Sequence, residues 1–292
     1  APNQEKRVDY DLNTGPVVVS SDGQPIIAAL LDAWRVNGIT TSYSQLMGLP
    51  FERLASAYVF PAYNNKTLYG QLRFANVGTA DTTVTVTIGG IPRGTYTLAP
   101  SQQQRVDYDL NTGPVIVASD GQPIIAALLG AWRPQGTTTT TSYTETMGLP
   151  LEQLSTAYYF PAYNNRTLYN QLRFANVGTT DTTVTVTIGG IERGTYTLAP
   201  NQEKRVDYDL STGPVVVSSD GQPIIAALLD AWQLKSPLAI PKTAGGFLQF
   251  PAGTTTSYVQ LMGLPQAHLS EAFFFPSYNN KSLYTQLRFG LP

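Results

Sequence analysis

The residues able to carry chemistry are few, and most of them recur. The chain has a single histidine, His268. The matching places in the two other copies of its surrounding phrase hold Arg53 and Gln153. A base for nucleophilic catalysis needs a nucleophile and an orienting acid. A residue present in one copy, without such partners, reads as an exposed loop residue. A repeated Asp-x-Asp stands at Asp9/Asp11, Asp107/Asp109 and Asp207/Asp209. On a strand, two such carboxylates share a face with Cα atoms about 7 Å apart. That spacing suits Ca²⁺ with help from loop oxygens, a solvated face, or pairing across a sheet with arginines such as Arg73. The tripeptides beginning at Asn65, Asn165 and Asn280 all read Asn-x-Ser/Thr. Each admits N-glycosylation or a plain tight turn after a tyrosine, where asparagine tolerates left-handed backbone. Trp34, Trp132 and Trp232, with the neighbouring Tyr and Phe, suit a sugar platform, but such residues belong more often to a core. The sequence therefore assigns no catalytic residue, no metal ligand and no cofactor, and the chain reads as a non-enzyme.

Composition narrows the classes further. The 292 residues carry no cysteine, a net charge of −2 and only 13% charged side chains. Thiolate chemistry and disulfides are excluded. Basic residues are scattered singly, which argues against nucleic acid. No apolar run approaches the roughly 18 residues of a membrane span, so membrane insertion by a helix is not expected.

Self-similarity sets the organisation. The phrase RVDYDL begins at Arg7, Arg105 and Arg205, 98 and 100 residues apart. Residues 1–34 repeat residues 199–232 with one difference, Asn13 against Ser211. Within one copy, Thr82–Ile88 alternates strictly, which places Val84, Val86 and Ile88 inward and the threonines outward. Pro61 interrupts the YVFPAY strand, which predicts an edge position. The run at 123–132 has both helical spacing and the character of a buried strand; the all-β surroundings favour strand. The expected fold is all-β, a tandem array of immunoglobulin-like β-sandwiches with Thr/Ser-rich connectors. The expected segments are a C-terminal half-sandwich at 1–34, a connector at 35–57 and a sandwich at 58–132. A connector at 133–157, a second sandwich at 158–232, a long connector at 233–272 and an N-terminal half-sandwich at 273–292 follow. Each connector ends in a Ser-Tyr…Met-Gly-Leu-Pro phrase. A structureless linker of this length would be unusual, so a β-prone stretch is expected at Thr137–Thr146, followed by one helical turn whose start the proline suits.

The phrases Y-x-F-P-x-Y-N-N, L-R-F-A-N-V-G and G-T-Y-T-L-A-P, followed by G-P-V-x-V and P-I-I-A-A, span essentially the whole chain. They resemble the tandem immunoglobulin-like repeats of prokaryotic cell-surface proteins, of surface-layer, adhesin-stalk or extracellular-fibre type. The resemblance implies an extracellular or cell-surface location and brings no catalytic or binding residues with it. Two other roles stay open beside a fibre subunit: an adhesin or glycan-binding stalk, and a non-catalytic arm of a larger secreted protein.

The two partial copies sharpen the expectation. The first bears Val17, Val19, Ile26, Ile27, Leu30, Leu31 and Trp34; the second bears Phe273, Phe275, Leu287 and Phe289. Each buried side chain of this kind is worth roughly 1.5–3 kcal/mol, so both sets need covering. Either neighbouring copies in a longer chain supply the missing strands, or one subunit's C-terminal half takes up the next subunit's N-terminal half. The second arrangement makes the partner a copy of this chain, head to tail, and generates a filament.

Overall fold

In a computed structural model the described residues are 6–36, 39–133, 140–233, 238–241, 247–250 and 255–272. Among them the protein is all-β: every regular element is a strand apart from three single turns of 3-10 helix. The partial first repeat contributes β1 (Ala29–Val36) and β2 (Ile39–Met47), an antiparallel pair. The first full repeat runs through β3 (Ala57–Phe60), β4 (Tyr63–Asn64), β5 (Tyr69–Asn76), β6 (Thr82–Ile88), β7 (Ile91–Leu98) and β8 (Gln103–Val106). It continues with β9 (Asn111–Thr112), β10 (Val115–Ser119), β11 (Ile124–Trp132), β12 (Ser142–Met147) and β13 (Leu149–Pro150). The second repeats this order as β14 (Ala157–Phe160), β15 (Tyr163–Asn164), β16 (Tyr169–Asn176), β17 (Thr182–Ile188), β18 (Ile191–Leu198) and β19 (Glu203–Val206). Then come β20 (Ser211–Thr212), β21 (Val215–Ser219), β22 (Ile224–Gln233), an inserted pair β23 (Leu238–Pro241) and β24 (Phe247–Phe250), β25 (Thr255–Met262) and β26 (Leu264–Pro265).

Each full repeat forms two large sheets that share one core, with a small two-stranded pair beside them, β4-β9 in the first and β15-β20 in the second. In the first, β13-β3-β10-β6-β7 faces β12-β11-β5-β8. Tyr58, Phe60, Val84, Val86, Ile88, Val115 and Val117 from one sheet meet Leu72, Phe74, Ile124, Ala126 and Leu128 from the other. The second repeat gathers the equivalent residues. The alternation of β6 has the expected register, with Val84, Val86 and Ile88 fully buried and Thr83, Thr85 and Thr87 half-exposed. The 123–132 run is a strand: β11 lies between β5 and β12 and uses main-chain bonds on both sides.

Two expectations are corrected. Residues 140–150, assigned to a connector, belong to the repeat before them. β12 pairs with β11, and β13 crosses to the opposite sheet to pair with β3. β25 and β26 do the same in the second repeat. Strand β3 is also not at an edge. It lies between β10 and β13, and the pairing stops at Phe60, one residue before Pro61, so the proline removes no ladder bond.

The crossing explains the Met-Gly-Leu-Pro phrase. A Cβ on Gly148 would lie 2.8 Å from both Phe60 Cζ and Tyr58 Cβ, and Gly263 has the same neighbours in Phe160 and Tyr158. The chain passes against the phenylalanine ring and the tyrosine Cβ with no room for a side chain. Pro50, Pro150 and Pro265 then each lead into one turn of 3-10 helix.

Candidate assembly interface

The sites the sequence singled out resolve mostly into structure. His268 sits on the last 3-10 turn, where partial burial and then the charge of Arg53 lower its pKa. Asp9, Asp11, Asp107, Asp109, Asp207 and Asp209 are exposed. No group of three or more metal-ligating side chains occurs among the described residues. Arg73 meets Glu145 at 3.3 Å and Asp32 at 4.0 Å.

Asn65 and Asn165 are half-buried and hold a turn together. Asn64 Oδ1 accepts the Lys66 and Thr67 N–H groups at 3.1 and 3.0 Å, and Asn64 Nδ2 donates to Thr67 Oγ1. Asn65 Oδ1 accepts the Gly70 N–H at 3.0 Å. The second repeat keeps this network. The turn alone accounts for the asparagine pair and the following threonine. Asn280, Phe273, Phe275, Leu287 and Phe289 lie outside the described residues.

The geometry that recurs is a joint between successive repeats. At the end of the β1–β2 pair, Trp34, Asp32, Ser42 and Ser44 lie on one face. That face meets the outer surface of the next repeat's β12-β11-β5-β8 sheet. Leu129, Ala131 and Tyr143 form a buried cluster there, with Trp34 and Tyr69 packed against it. The Trp34 and Tyr143 rings are 5.8 Å apart. The second joint uses the same positions: Leu229, Ala231 and Tyr258 with Trp132 and Tyr169, the Trp132 and Tyr258 rings at 6.2 Å. Trp34 and Trp132, read from sequence as core residues, serve the neighbouring repeat instead, and Trp232 is exposed.

Strand β12 is an edge strand, and an open edge invites pairing with another chain. Here it is closed by side chains of the preceding repeat. Tyr143 N–H donates to Ser42 Oγ at 3.1 Å, and Glu145 N–H donates to Ser44 Oγ at 3.0 Å. In the second joint Gln260 N–H donates to Thr144 Oγ1 at 3.4 Å. Thr146 Oγ1 donates to the Gln260 carbonyl at 3.1 Å, and Thr141 Oγ1 to that of Thr255 at 2.8 Å. The Ser/Thr-rich phrase is thus a strand whose row of short hydroxyls meets the next repeat's edge through side chains.

The joint also buries charge. Burial pushes the Glu145 carboxyl above its ordinary pKa, against the opposing pull of the Arg73 guanidinium. Arg173 is buried and donates to Gln171 Oε1 and, at 3.3 Å, to Gln260 Oε1. Where the first joint has Asp32, the second has Gly130, and a Cβ there would stand 3.1 Å from the Tyr258 hydroxyl. A third contact repeats at the other side of the joint. A Cβ on Gly15 would meet Gln103, and one on Gly113 would meet Glu203, the residue equivalent to Gln103.

No family model matches the chain, and no curated protein matches it. Among solved structures, it is slightly similar to a GH2 β-galacturonidase from Eisenbergiella tayi bound to galacturonate. The identity is 11% and the TM-score 0.18, over 76% of this chain and 45% of that one. A GH2 β-galacturonidase of the same organism bound to glycerol gives 11% and 0.17, over 77% and 45%. The chain thus spans under half the length of those enzymes, and overlap this slight assigns neither fold nor activity.

Proposed function

We propose that this protein is a non-catalytic structural subunit of an extracellular fibre or surface array, built of immunoglobulin-like sandwiches and joined head to tail to copies of itself. The reading of each full repeat as a sandwich of that type rests on its paired five- and four-stranded sheets around one core. The self-association rests on one observation, the state of the partial first repeat. Val17, Val19, Ile26, Leu30 and Leu31 are all exposed, whereas their equivalents Val115, Val117, Ile124, Leu128 and Leu129 are buried in a complete repeat; Ile27 is exposed and its equivalent Ile125 half-buried.

The vacant partners have counterparts in the sequence. Phe273, Phe275, Leu287 and Phe289 occupy the places that Tyr58, Phe60, Leu72 and Phe74 hold in the first full repeat. In that repeat Val115 faces Phe60, Val117 faces Tyr58 and Leu128 faces Leu72. By sequence, the 273–292 segment of a second copy thus carries side chains of the kind that cover Val115, Val117 and Leu128 in a full repeat. Gly48 supports the same docking. It keeps the backbone bond to Ala28 that Gly148 makes to Ala126, yet a Cβ on it would meet only Ala28. The slot that a phenylalanine ring and a tyrosine Cβ fill at Gly148 is open at Gly48.

Sedimentation velocity tests the proposal. The native sequence forms concentration-dependent oligomers larger than a dimer, and Val17→Asp/Val19→Asp, which alters only exposed side chains of the subunit, reduces them to monomer. A native sequence that remains monomeric, or a double variant that assembles as well as the native chain, overturns it.

A further inference from the structure

We infer that the second joint, between the two full repeats, is a binding site for a small monovalent anion of the halide class, held by Arg173 where the first joint sets carboxylates of its own. This joint lies within the chain, so the site is independent of how subunits associate.

The two joints share a framework and differ in charge. In the first, the Arg73 guanidinium has Glu145 at 3.3 Å and Asp32 at 4.0 Å. In the second, Arg173 takes the place of Arg73, but Gln260 replaces Glu145 and Gly130 replaces Asp32. The one carboxylate this joint gains is Glu203, in the place of Gln103, and Arg205 engages it at 2.7 Å. Asp230 lies between Leu229 and Ala231, which face the joint, so its side chain takes the other face of β22, where it accepts from Asn170. Asp207 is exposed, as is its counterpart Asp107 in the first joint. Residues 231–270 hold no aspartate or glutamate.

Arg173 is nevertheless only 5% exposed. Its bonds go to neutral oxygens, Gln171 Oε1 at 3.0 Å and Gln260 Oε1 at 3.3 Å. A buried cation without a paired anion is costly. Tyr258 does not supply the charge. Burial pushes its hydroxyl above the ordinary tyrosine pKa, against the pull of Arg173, so the phenol is neutral.

A cavity of about 10 Å³ lies at this place, roughly the room of one water-sized sphere. Arg173, Tyr258 and Gln260 of the second repeat line it together with Gly130, Thr144 and Thr146 of the first. Gly130 keeps it open, since a Cβ there would stand 3.1 Å from the Tyr258 hydroxyl. The lining is rich in donors. Arginine only donates, so the Gln260 amide turns Oε1 to Arg173 and has its Nε2–H groups left to give. Tyr258 adds an O–H. The side-chain oxygens of Gln171 and Gln260 are already engaged by Arg173. A water molecule uses acceptors as well as donors, whereas an anion uses donors alone. The single excess charge calls for a monovalent ion, and the small volume excludes sulfate, phosphate and organic acids.

Chlorine NMR line widths on the full chain test the site in solution. The native chain should broaden the chloride line beyond what Gln260→Glu does, and bromide should compete that excess away. Gln260→Glu puts beside Arg173 the carboxylate that Glu145 puts beside Arg73, so the variant supplies the charge internally. Urea unfolding gives a second readout. Replacing gluconate, too large for the cavity, by chloride at constant ionic strength should raise the native midpoint and leave that of Gln260→Glu unchanged. Equal broadening by the two proteins, or an equal rise of both midpoints, means that chloride acts only at the general surface and overturns the inference. A native midpoint that is the same in chloride and gluconate overturns it as well, whether or not the variant folds.

Discussion

Truncating the same leucine at three equivalent positions separates the joint from the fold. Leu129 and Leu229 are buried in clusters closed by Trp34 and Trp132 of the preceding repeat, whereas Leu31 has no such cover within one chain. The local strand environment is nearly constant: each leucine lies in the repeated run IIAALL and points to the outer face of its sheet. Removing a buried leucine side chain costs its transfer free energy and leaves a cavity, about 2–5 kcal/mol in all. Collapse is restricted here, because Trp34 is held on Tyr143 and Trp132 on Tyr258. Leu129→Ala and Leu229→Ala should therefore each cost about 2–4 kcal/mol. Leu31→Ala should stay within about 0.5 kcal/mol, as surface changes usually do. Urea unfolding in dilute, monomeric protein measures the three, with tryptophan fluorescence as reporter because Trp34 and Trp132 sit at the joints. Equal costs at all three positions, or a negligible cost at 129, would refute the claim that the preceding repeat buries this face.

Three further outcomes follow from the geometry. Gly148→Ala should destabilise the first full repeat by about 1–3 kcal/mol through overpacking against Tyr58 and Phe60, while Gly48→Ala changes the monomer little; urea midpoints compare them. Asn64→Ala removes the acceptor of two backbone N–H groups and should cost about 1–3 kcal/mol, read as a lower urea midpoint. Glu145→Gln places at this position the residue that Gln45 and Gln260 already supply. Burial raises the folded pKa of Glu145 above its unfolded value, so the folded state binds the extra proton and stability declines as pH rises between the two values. The stability of the variant relative to the native chain should thus increase from pH 4 to pH 7; a constant or falling difference contradicts the assigned burial.

Much of the fold was legible because local signals agreed. The Val/Thr alternation of 82–88 fixed which face is core, and the Pro-to-turn step after each Gly-Leu was read correctly. The β-prone stretch expected at Thr137–Thr146 overlaps strand β12, but its membership of the preceding repeat was missed, because Ser and Thr at every second position describe either a strand within a linker or a sheet strand whose polar face is covered. Only the partner distinguishes them, and that partner lies about 100 residues away. Pro61 misled for a related reason: a proline argues against a central strand only where it stands inside the ladder, and here the ladder ends one residue earlier. The joint was missed although its signal was present. Trp34, Trp132 and Trp232 each follow the core leucines by several residues at the far end of the strand, beyond the span that the opposite sheet covers. Trp34 and Trp132, each with a Ser-Tyr phrase shortly after, mark a contact between repeats rather than within one.

Electron microscopy of the purified 292-residue chain, imaged at concentrations that span the sedimentation transition, tests the central claim most directly. Unbranched filaments one subunit wide, lengthening with concentration and shortened by Val17→Asp/Val19→Asp, are the predicted result. Isolated particles of 31.6 kDa at every concentration, or closed dimers that grow no further, would contradict it.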